Sequence, residues 1–239
     1  MAIQDDPMVE RLMDVARQLA GQDTPTSTAA SLTRLAVELV AGADAAGVTM
    51  RHSKGRLESV APTSGLVAQA DELQHSLREG PCVDALEADE VETRDLAAET
   101  RWPRWRPEVL ESGVRSMLCV QLRLDDRGLG ALNLYSTRPE AFDDGDRVAA
   151  RYLASHGAIL MSAARERDTL QQALESRTTI GQAEGLLMER FGVDAETAFT
   201  VLVRYSQSTQ TKLSTVAEDL VRRRILPDLD GGGIDPVPS

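Results

Sequence analysis

Long apolar runs and cysteine-rich segments are missing from this sequence of 239 residues. No run of apolar residues approaches the roughly 18 that a membrane-spanning helix needs, and the first residues do not form a signal peptide. The two cysteines, Cys82 and Cys119, are too few for a disulfide framework. These absences predict a cytoplasmic protein that has no membrane partner.

Catalytic signatures are missing as well. The sequence has no nucleophile paired with a base, no phosphate-binding loop and no group of residues with the spacing of metal ligands. Its three histidines, His52, His75 and His156, are far apart in the chain, and a lone histidine is usually an ordinary surface or core residue. We therefore expect no enzymatic activity, no metal and no cofactor.

Positive charge is scarce except near the C-terminus. The formal net charge at pH 7 is -12. Residues 1–176 carry a net charge of -10, residues 177–224 have seven basic and six acidic side chains, and the remaining tail adds -3. An acidic front half repels nucleic acid, which favours a sensor, partner or regulatory domain there. The length and the hydrophobic content of 42% allow one medium-sized domain and one small domain.

The strongest local pattern is a set of three short helical segments between residues 177 and 225. Their sequences contain TIGQAEGLLMERFG, AETAFTVLVRYSQSTQ and KLSTVAEDLVRRR. Apolar residues recur in each segment at helical spacing, which predicts three amphipathic helices around one small core. Gly192 is expected to end the first helix, and Asp194 and Thr211 are expected to cap the second and the third. The predicted apolar positions are Ile180, Ala183, Leu187 and Phe191, then Ala198, Val201, Leu202 and Tyr205, then Leu213, Val216, Ala217, Leu220 and Val221.

These segments closely resemble the ANTAR domain, an RNA-binding three-helix module of bacterial transcription antiterminators. The matching positions are Ile180, Ala183, Gly185, Met188, Ala198, Leu202, Ser206, Lys212, Leu213, Val216 and Ala217. Most of them are predicted core positions, so they indicate the fold more directly than the RNA contacts. The resemblance implies an RNA-binding domain over residues 170–225.

Candidate RNA contacts lie on the polar faces of these helices. Glutamine, arginine and lysine can contact unpaired base edges or phosphates, and a glycine lets a nucleic-acid backbone approach closely. An ordinary solvated helix face explains the same residues equally well. The nearly neutral charge favours recognition of a shaped RNA loop over a general grip on the backbone. The candidates are Thr178, Gln182, Gly185, Arg204, Gln207 and Lys212, of which Gln182, Arg204 and Lys212 are preferred.

Helical and strand patterns alternate through residues 27–165. The clearest strand alternates Leu118, Val120 and Leu122 with Cys119 and Gln121, and the turn DDRG after it predicts a β-hairpin. The motifs ADAAGVTM, EGPCVDAL, RWPRW, GVRSMLCVQL and LGALNLYS, in this order, resemble a GAF domain of the kind fused to ANTAR in bacterial regulators. The resemblance implies an α+β fold in which helices flank an antiparallel sheet.

Many GAF domains sense small molecules in a pocket between the sheet and its covering loops, while others only dimerise or transmit a signal. A pocket here would be lined by Cys82, Trp102, Trp105, Cys119 and Asn133. The cysteines are either buried small apolar residues or oxidation sensors, and the tryptophans either cover the pocket or anchor a loop. GAF domains that bind cyclic nucleotides carry an Asn-Lys pair, but here Asn133 is followed by Leu134. We therefore expect another small molecule or no ligand.

A heptad-like seam over residues 150–177 predicts a long helix that joins the two domains. Such a seam is typical of a coiled coil in a parallel homodimer. Arginine and histidine within it leave the alternative that its first half packs on its own GAF sheet. The seam positions are Leu153, His156, Leu160, Ala163, Arg167, Leu170, Leu174 and Arg177.

The two ends of the chain complete the predicted domain organisation. Residues 1–26 contain a short amphipathic helix pattern, and the tail 226–239 is rich in glycine and proline and is expected to be disordered. Between them we expect a GAF sensor that controls the binding of an ANTAR domain to paired stem-loops in nascent mRNA, and so suppresses a terminator. A homodimer suits paired stem-loops, because linked modules bind one transcript at high effective concentration. The alternative is a GAF-driven protein-interaction or dimerisation module that has no RNA contact.

Overall fold

A computed structural model describes residues 17, 22, 24–52, 55–125 and 127–224. The short helix expected near the N-terminus and the tail 226–239 lie outside the described residues. The chain divides into two compact units, residues 1–166 and residues 167–239. Within the described ranges, no helix combines the length and the apolar content that are needed to cross a membrane.

An antiparallel sheet of five strands forms the centre of the first unit. The predicted hairpin is confirmed, because its two strands pair from Ser116 with Ser136 to Leu124 with Arg127. Asp125, at the turn, has a φ of 52°, the left-handed conformation that tight hairpin turns use. The strands are β1 (Ala45–Arg51), β2 (Leu57–Val60), β3 (Glu90–Thr93), β4 (Ser116–Leu124) and β5 (Arg127–Ser136), in the spatial order β2-β1-β5-β4-β3.

Helices cover the two faces of this sheet, as the predicted α+β fold requires. One face packs against α1 (Pro25–Leu39) and the first part of α5 (Asp144–Phe191). The other face packs against α2 (Gly65–Leu77), α3 (Pro81–Ala85) and α4 (Trp105–Glu111). The start of α1 is fixed by a capping box between Thr24 and Ser27 and by Pro25 in the first turn.

Side chains of β4 alternate between the two faces as the sequence pattern predicts. Leu118, Val120 and Leu122 are buried against α1 and α5, whereas Cys119 is buried on the side of α2, α3 and α4. The contact of α1 with α5 is close, because a Cβ atom at Gly157 would lie 2.6 Å from Cδ2 of Leu32. The first unit therefore has two separate apolar cores, one on each side of the sheet.

The predicted heptad seam divides into a buried part and an exposed part. Leu153 is 1% exposed in the core of the first unit, and Leu160 packs against the same core. Leu170 and Leu174 are 60% and 63% exposed. The first half of the seam thus packs on its own GAF sheet, which is the alternative that the sequence left open. Only the later leucines are available to a partner.

The second unit is a small helical bundle. It consists of the C-terminal part of α5 with α6 (Ala195–Ser208) and α7 (Leu213–Arg223). Gly192 follows the last residue of α5 with a φ of 67°, and the Asp194 carboxylate caps α6 by accepting from the Thr197 N–H at 2.8 Å. Its buried core consists of Ala183, Leu187, Ala198, Leu202, Val216, Ala217 and Leu220.

Two details of the sequence prediction for this bundle are wrong. Thr211 does not cap α7, because Lys212 occupies the N-cap position and the Thr211 hydroxyl donates to the Thr209 carbonyl at 3.2 Å. Phe191 is not a core residue. It is the last residue of α5, beyond the turn that packs against the other helices, and it is 36% exposed with the Arg190 guanidinium over its ring.

We expect the substitution Ala183→Glu to unfold the second unit and to leave the first unit folded. Ala183 is fully buried, so the variant places a carboxylate in an apolar core at a cost of about 3 kcal/mol or more. Far-UV circular dichroism should show a loss of helix, while the fluorescence transition of Trp102 and Trp105 in the first unit stays unchanged. The control Gln182→Glu, at the exposed neighbouring position, should keep the helix signal. A fully helical Ala183→Glu variant would contradict this core.

Candidate functional site

The six candidate RNA contacts all lie on the surface of the second unit. Thr178, Gln182 and Gly185 follow one another at helical spacing on α5, and Arg204 and Gln207 do so on α6. Lys212 precedes α7 as its N-cap residue. The hydroxyl of Thr178 donates to the Leu174 carbonyl at 3.0 Å, so its hydrogen is already used.

All six candidate residues are exposed, namely Thr178, Gln182, Gly185, Arg204, Gln207 and Lys212. The three preferred residues, Gln182, Arg204 and Lys212, form no side-chain hydrogen bond or ion pair within the described ranges. Their donors are consequently available to a ligand. RNA contact by each of the six remains a prediction.

A cluster of arginines at the end of α7 is partly engaged within the unit. Arg222 and Arg223 lie 2.5 Å and 3.4 Å from Oδ1 of Asp219. The Arg190 guanidinium also donates to the Arg224 carbonyl at 3.0 Å, which helps to close the bundle at this end. Positively charged side chains near a helix C-terminus interact favourably with the negative end of the helix dipole. These arginines therefore have a structural role that needs no nucleic acid.

A groove between α5 and α6 is a feature that the sequence analysis missed. It has a volume of about 490 Å³. Phe199 from α6 lies at this groove and is 43% exposed. The sequence did contain a signal, because Phe199 is a large apolar residue next to Ala198 but outside the helical spacing of the core positions. The lining residues are Ala173, Ser176, Arg177, Ile180, Gly181, Glu184 and Phe199.

The predicted sensor pocket of the first unit is a region of closely packed side chains. Cys82, Trp102, Trp105 and Cys119 belong to one buried cluster on the α2, α3 and α4 side of the sheet, and Asn133 is buried on β5. The indole rings of Trp102 and Trp105 meet edge to face, with centroids 5.7 Å apart. Each indole N–H has a partner, the Asp84 carboxylate at 3.0 Å and the Ala70 carbonyl at 3.1 Å respectively. The structure thus brings the five predicted residues to one face.

Polar side chains form a network at the centre of this buried region. The Asp71 carboxylate accepts hydrogen bonds from the Tyr135 hydroxyl, from Nδ2 of Asn133 at 3.0 Å and from the Ser59 hydroxyl at 2.9 Å. Asn133 also donates to the Thr49 hydroxyl at 3.0 Å. Oδ1 of Asn133 is buried and has no hydrogen-bond partner among the residues that the structure describes. This atom is therefore the position in the network that a hydrogen-bond donor would satisfy.

The buried carboxyl is the second feature that the sequence did not reveal. Asp71 is fully buried, and burial raises its pKa to about 6, although the hydrogen bonds from Tyr135, Ser59 and Asn133 lower it. It occupies a core-facing position of α2, where sequence patterns predict an apolar residue. No motif distinguished it from an ordinary surface aspartate of an amphipathic helix.

The cysteines do not have the environment of an oxidation sensor. Both are fully buried. Burial raises the pKa of the Cys82 thiol to about 12 and that of Cys119 well above its usual value, and the nearby Asp71 adds to both shifts. Because the thiolate is the form that reacts with oxidants, these thiols are unreactive in this conformation. Cys82 instead donates to the Thr49 hydroxyl at 3.0 Å.

In the described part of the chain, no group of three or more histidine, cysteine or acidic side chains is placed to hold a metal ion. His75 lies 3.1 Å from the Thr49 hydroxyl and His156 lies 3.0 Å from the Tyr152 carbonyl. These two histidines therefore bond to neutral protein groups.

The architecture is that of a two-domain protein, with a five-stranded antiparallel sheet between helices in one unit and a helical bundle in the other. The GAF domain family model matches residues 22–162, and the ANTAR domain model matches residues 168–221. The chain therefore belongs to the GAF domain family and carries an ANTAR domain after its GAF domain. GAF is a sensor domain, and ANTAR is an RNA-binding antitermination domain. No curated protein matches the sequence.

Several solved structures are similar in fold to this chain. The chromophore-binding domain of an unusual bacteriophytochrome from R. palustris has a TM-score of 0.51 at 10% identity, covering 70% of this chain and 64% of that chain. A Stigmatella aurantiaca phytochrome photosensory core module has a TM-score of 0.53 at 13% identity, covering 86% and 46%. The GAF domain from Acinetobacter phosphoenolpyruvate-protein phosphotransferase has a TM-score of 0.53 at 10% identity, covering 70% and 99%. At these identities the similarity shows the fold alone.

We expect Asp71→Asn to become progressively more stable than the wild type between pH 4 and pH 7. The folded pKa of Asp71, about 6, is above its ordinary value of 3.8, so ionisation removes stability as the pH rises through this window. Across this window the difference in unfolding free energy between Asp71→Asn and the wild type should change by about 3 kcal/mol, since each unit of difference in pKa corresponds to about 1.4 kcal/mol. Urea denaturation followed by fluorescence of Trp102 and Trp105 measures the difference between the two proteins at each pH.

The control Asp44→Asn should show the opposite dependence. A hydrogen bond from the Thr137 backbone lowers the pKa of Asp44, so its carboxylate stabilises the fold as the pH rises through the acid range. Asparagine at position 71 can keep the network, because its carbonyl accepts from Asn133 and its amide donates to Ser59. A pH-independent difference between Asp71→Asn and the wild type would show that Asp71 is not a buried titrating group.

Proposed function

We propose that this protein regulates transcription by binding stem-loops in nascent mRNA through its ANTAR domain, under the control of its GAF domain. The observation that supports this most directly is the ANTAR match over residues 168–221. In this region all six candidate RNA-contact residues are exposed. Binding would suppress a terminator in the transcript. This function requires the protein to act in the cytoplasm, where nascent mRNA is made, and it uses the two domains as regulators without an enzymatic step.

The charge distribution supports a division of labour between the two units. Acidic residues dominate the GAF domain, whereas the ANTAR region is nearly neutral. An acidic surface repels RNA, so the GAF domain is suited to sensing and not to RNA contact. A nearly neutral RNA-binding domain must gain affinity from specific contacts with a folded loop more than from phosphate neutralisation.

The GAF domain is proposed to sense a small molecule at the buried network around Asn133 and Asp71. The unpaired Oδ1 of Asn133 supports this, because a ligand that donates a hydrogen bond would remove an unfavourable buried polar atom. Such a ligand must displace some of the packed side chains, which couples its binding to a change of conformation. The altered packing can reach the ANTAR domain through α5, because this helix contributes Leu153 to one core and Leu187 to the other.

The protein is proposed to act as a homodimer through the exposed part of α5. Val148, Ile159 and Leu170 are 61%, 51% and 60% exposed and follow one another at intervals of eleven residues, which is close to three helical turns. Leu174, one turn beyond Leu170, is also exposed. A second identical helix would cover this repeat, and two linked ANTAR domains would then engage two stem-loops of one transcript.

A second candidate function is a protein-interaction or dimerisation module that has no RNA contact. The exposed apolar residues Leu170, Leu174 and Phe199 favour it, because such residues on a surface are typical of protein interfaces. The two candidates differ in one measurable property, the affinity of the wild-type chain for stem-loop RNA.

We expect Gln182→Ala, Arg204→Ala and Lys212→Ala each to weaken RNA binding at least fivefold without a change in melting temperature. A direct base contact contributes about 1–3 kcal/mol, and exposed substitutions rarely change stability by more than about 0.5 kcal/mol. A gel-shift assay of the full-length chain with a pool of paired stem-loops that have randomised loops provides the measurement. Arg34→Ala, an exposed arginine on α1, is the charge-matched control and should bind like the wild type.

Wild-type affinity in all three variants would move the RNA surface to another part of the ANTAR domain. Failure of the wild-type chain to bind any member of the pool would instead support the second candidate function.

We expect the double substitution Leu170→Lys and Leu174→Lys to convert a wild-type dimer into monomers. The change places charge in an apolar contact without touching either core, because both leucines are exposed in the single chain. Light scattering at micromolar concentration gives the mass. The control Gln171→Lys with Gln172→Lys adds the same charge on other sides of the same turn and should remain dimeric. A monomeric wild type would contradict the proposed dimer.

A further inference from the structure

We propose that the groove between α5 and α6 is a pocket for one unpaired guanine base of the bound RNA. This inference rests on the proposed RNA-binding function and assigns one subsite within it. The groove volume of about 490 Å³ lies within the range of small-molecule sites, about 300–1,000 Å³. An unpaired base of a loop is the part of an RNA that can leave the stack and enter such a site.

Gly181 keeps the groove open. A Cβ atom at this position would have no heavy atom within 4 Å, so packing within the chain does not require glycine here. Glycine in a helix interior is less stable than alanine, which makes an unneeded glycine a cost to the fold. A flat base lying against the helix at Gly181 would use the missing side chain.

Phe199 provides a stacking surface beside this glycine. Its side chain is 43% exposed, and phenylalanine is rare in this protein, with three in the whole sequence. Base stacking on an aromatic ring is the usual way in which proteins hold unpaired nucleotides. The exposed ring therefore gains a partner that matches its size and shape.

Glu184 determines which base fits best. Its carboxylate is an acceptor only, and within the described ranges it forms neither an ion pair nor a hydrogen bond. Guanine presents two adjacent donors, N1–H and the N2 amino group, so one carboxylate can accept from the two together. Adenine, cytosine and uracil each place an acceptor next to a donor on the same edge, and this acceptor would repel the carboxylate.

Arg177 supplies the complementary charge at the same groove. It is exposed, and its guanidinium has no ion pair within the described ranges. A guanidinium pairs well with a phosphate oxygen or with the O6 atom of guanine. The groove thus offers a donor, an acceptor and an aromatic ring to a single nucleotide.

The polar lining argues against a second copy of the chain as the occupant. Ser176, Arg177 and Glu184 would lose water beneath an apolar helix and would gain no partner. The exposed Leu170 and Leu174, which the proposed dimer uses, are not among the residues that line the groove.

The test begins with selection of RNA stem-loops with randomised loops against the full-length wild-type chain. We expect the selected loops to share one guanine. Inosine at this position lacks only the N2 amino group and should weaken wild-type binding roughly tenfold. Glu184→Gln should bind the guanine and inosine forms with affinities that differ less than twofold, because its amide has one acceptor oxygen and its NH2 group cannot accept from the second guanine donor.

Gly181→Leu fills the groove and should weaken RNA binding at least tenfold while the melting temperature stays equal or rises. Phe199→Leu, which removes the ring but keeps an apolar side chain, should also weaken binding roughly tenfold. The control Thr200→Leu, at the exposed position next to Phe199, should bind like the wild type. Light scattering on each variant reports whether the oligomeric state has changed.

Wild-type affinity of Gly181→Leu, or equal wild-type affinity for guanine and inosine loops, would overturn the pocket and leave the RNA-binding function intact. Loss of dimer mass together with loss of RNA binding in Gly181→Leu would show that a second copy occupies the groove, which also overturns the proposal. If the wild-type chain selects no RNA at all, the proposed function and the pocket are both wrong.

Discussion

The first unit depends on the burial of strand β5 on its two faces. This strand pairs with β1 on one side and β4 on the other, so it has no free edge. Leu132 and Leu134 face one core, while Asn133 and Tyr135 are buried on the opposite side. Buried amides and hydroxyls are unfavourable unless they find partners, so the helix above them must be polar at the point of contact. Asp71 on α2 meets this requirement, and the network is therefore part of the fold as well as a candidate sensor site.

A single helix serves two cores in this protein. In its first part α5 buries Leu153 beneath the GAF sheet, and near its end it buries Ala183 and Leu187 among the helices of the ANTAR domain. Between these segments Leu170 and Leu174 are exposed. One helix thus carries core residues of both domains and, between them, the exposed leucines that the proposed dimer uses.

Local sequence signals predicted much of this architecture. The alternation in β4, the hairpin and the cap at Asp194 depend on neighbouring residues, so one sequence is enough to recognise them. Asp71 and Phe199 could not be predicted in the same way. A buried aspartate becomes acceptable only when β5 supplies hydrogen-bond donors from more than sixty positions away, and the exposure of Phe199 depends on how α5 and α6 meet. The burial of Asp71 and the exposure of Phe199 are determined by tertiary packing, and the local periodicity of the sequence carries no information about it.

The two buried cysteines have a consequence for the kinetics of the GAF domain. Cys82 lies on the five-residue helix α3, whereas Cys119 lies on β4, which is paired with β3 and β5. Each thiol becomes accessible to a reagent only when the structure around it opens. Cys82 therefore reports the local opening rate of the layer that covers the sensor cluster, and Cys119 reports the much rarer rupture of the sheet. The two thiols are thus intrinsic probes of two opening motions, one in the covering layer and one in the sheet.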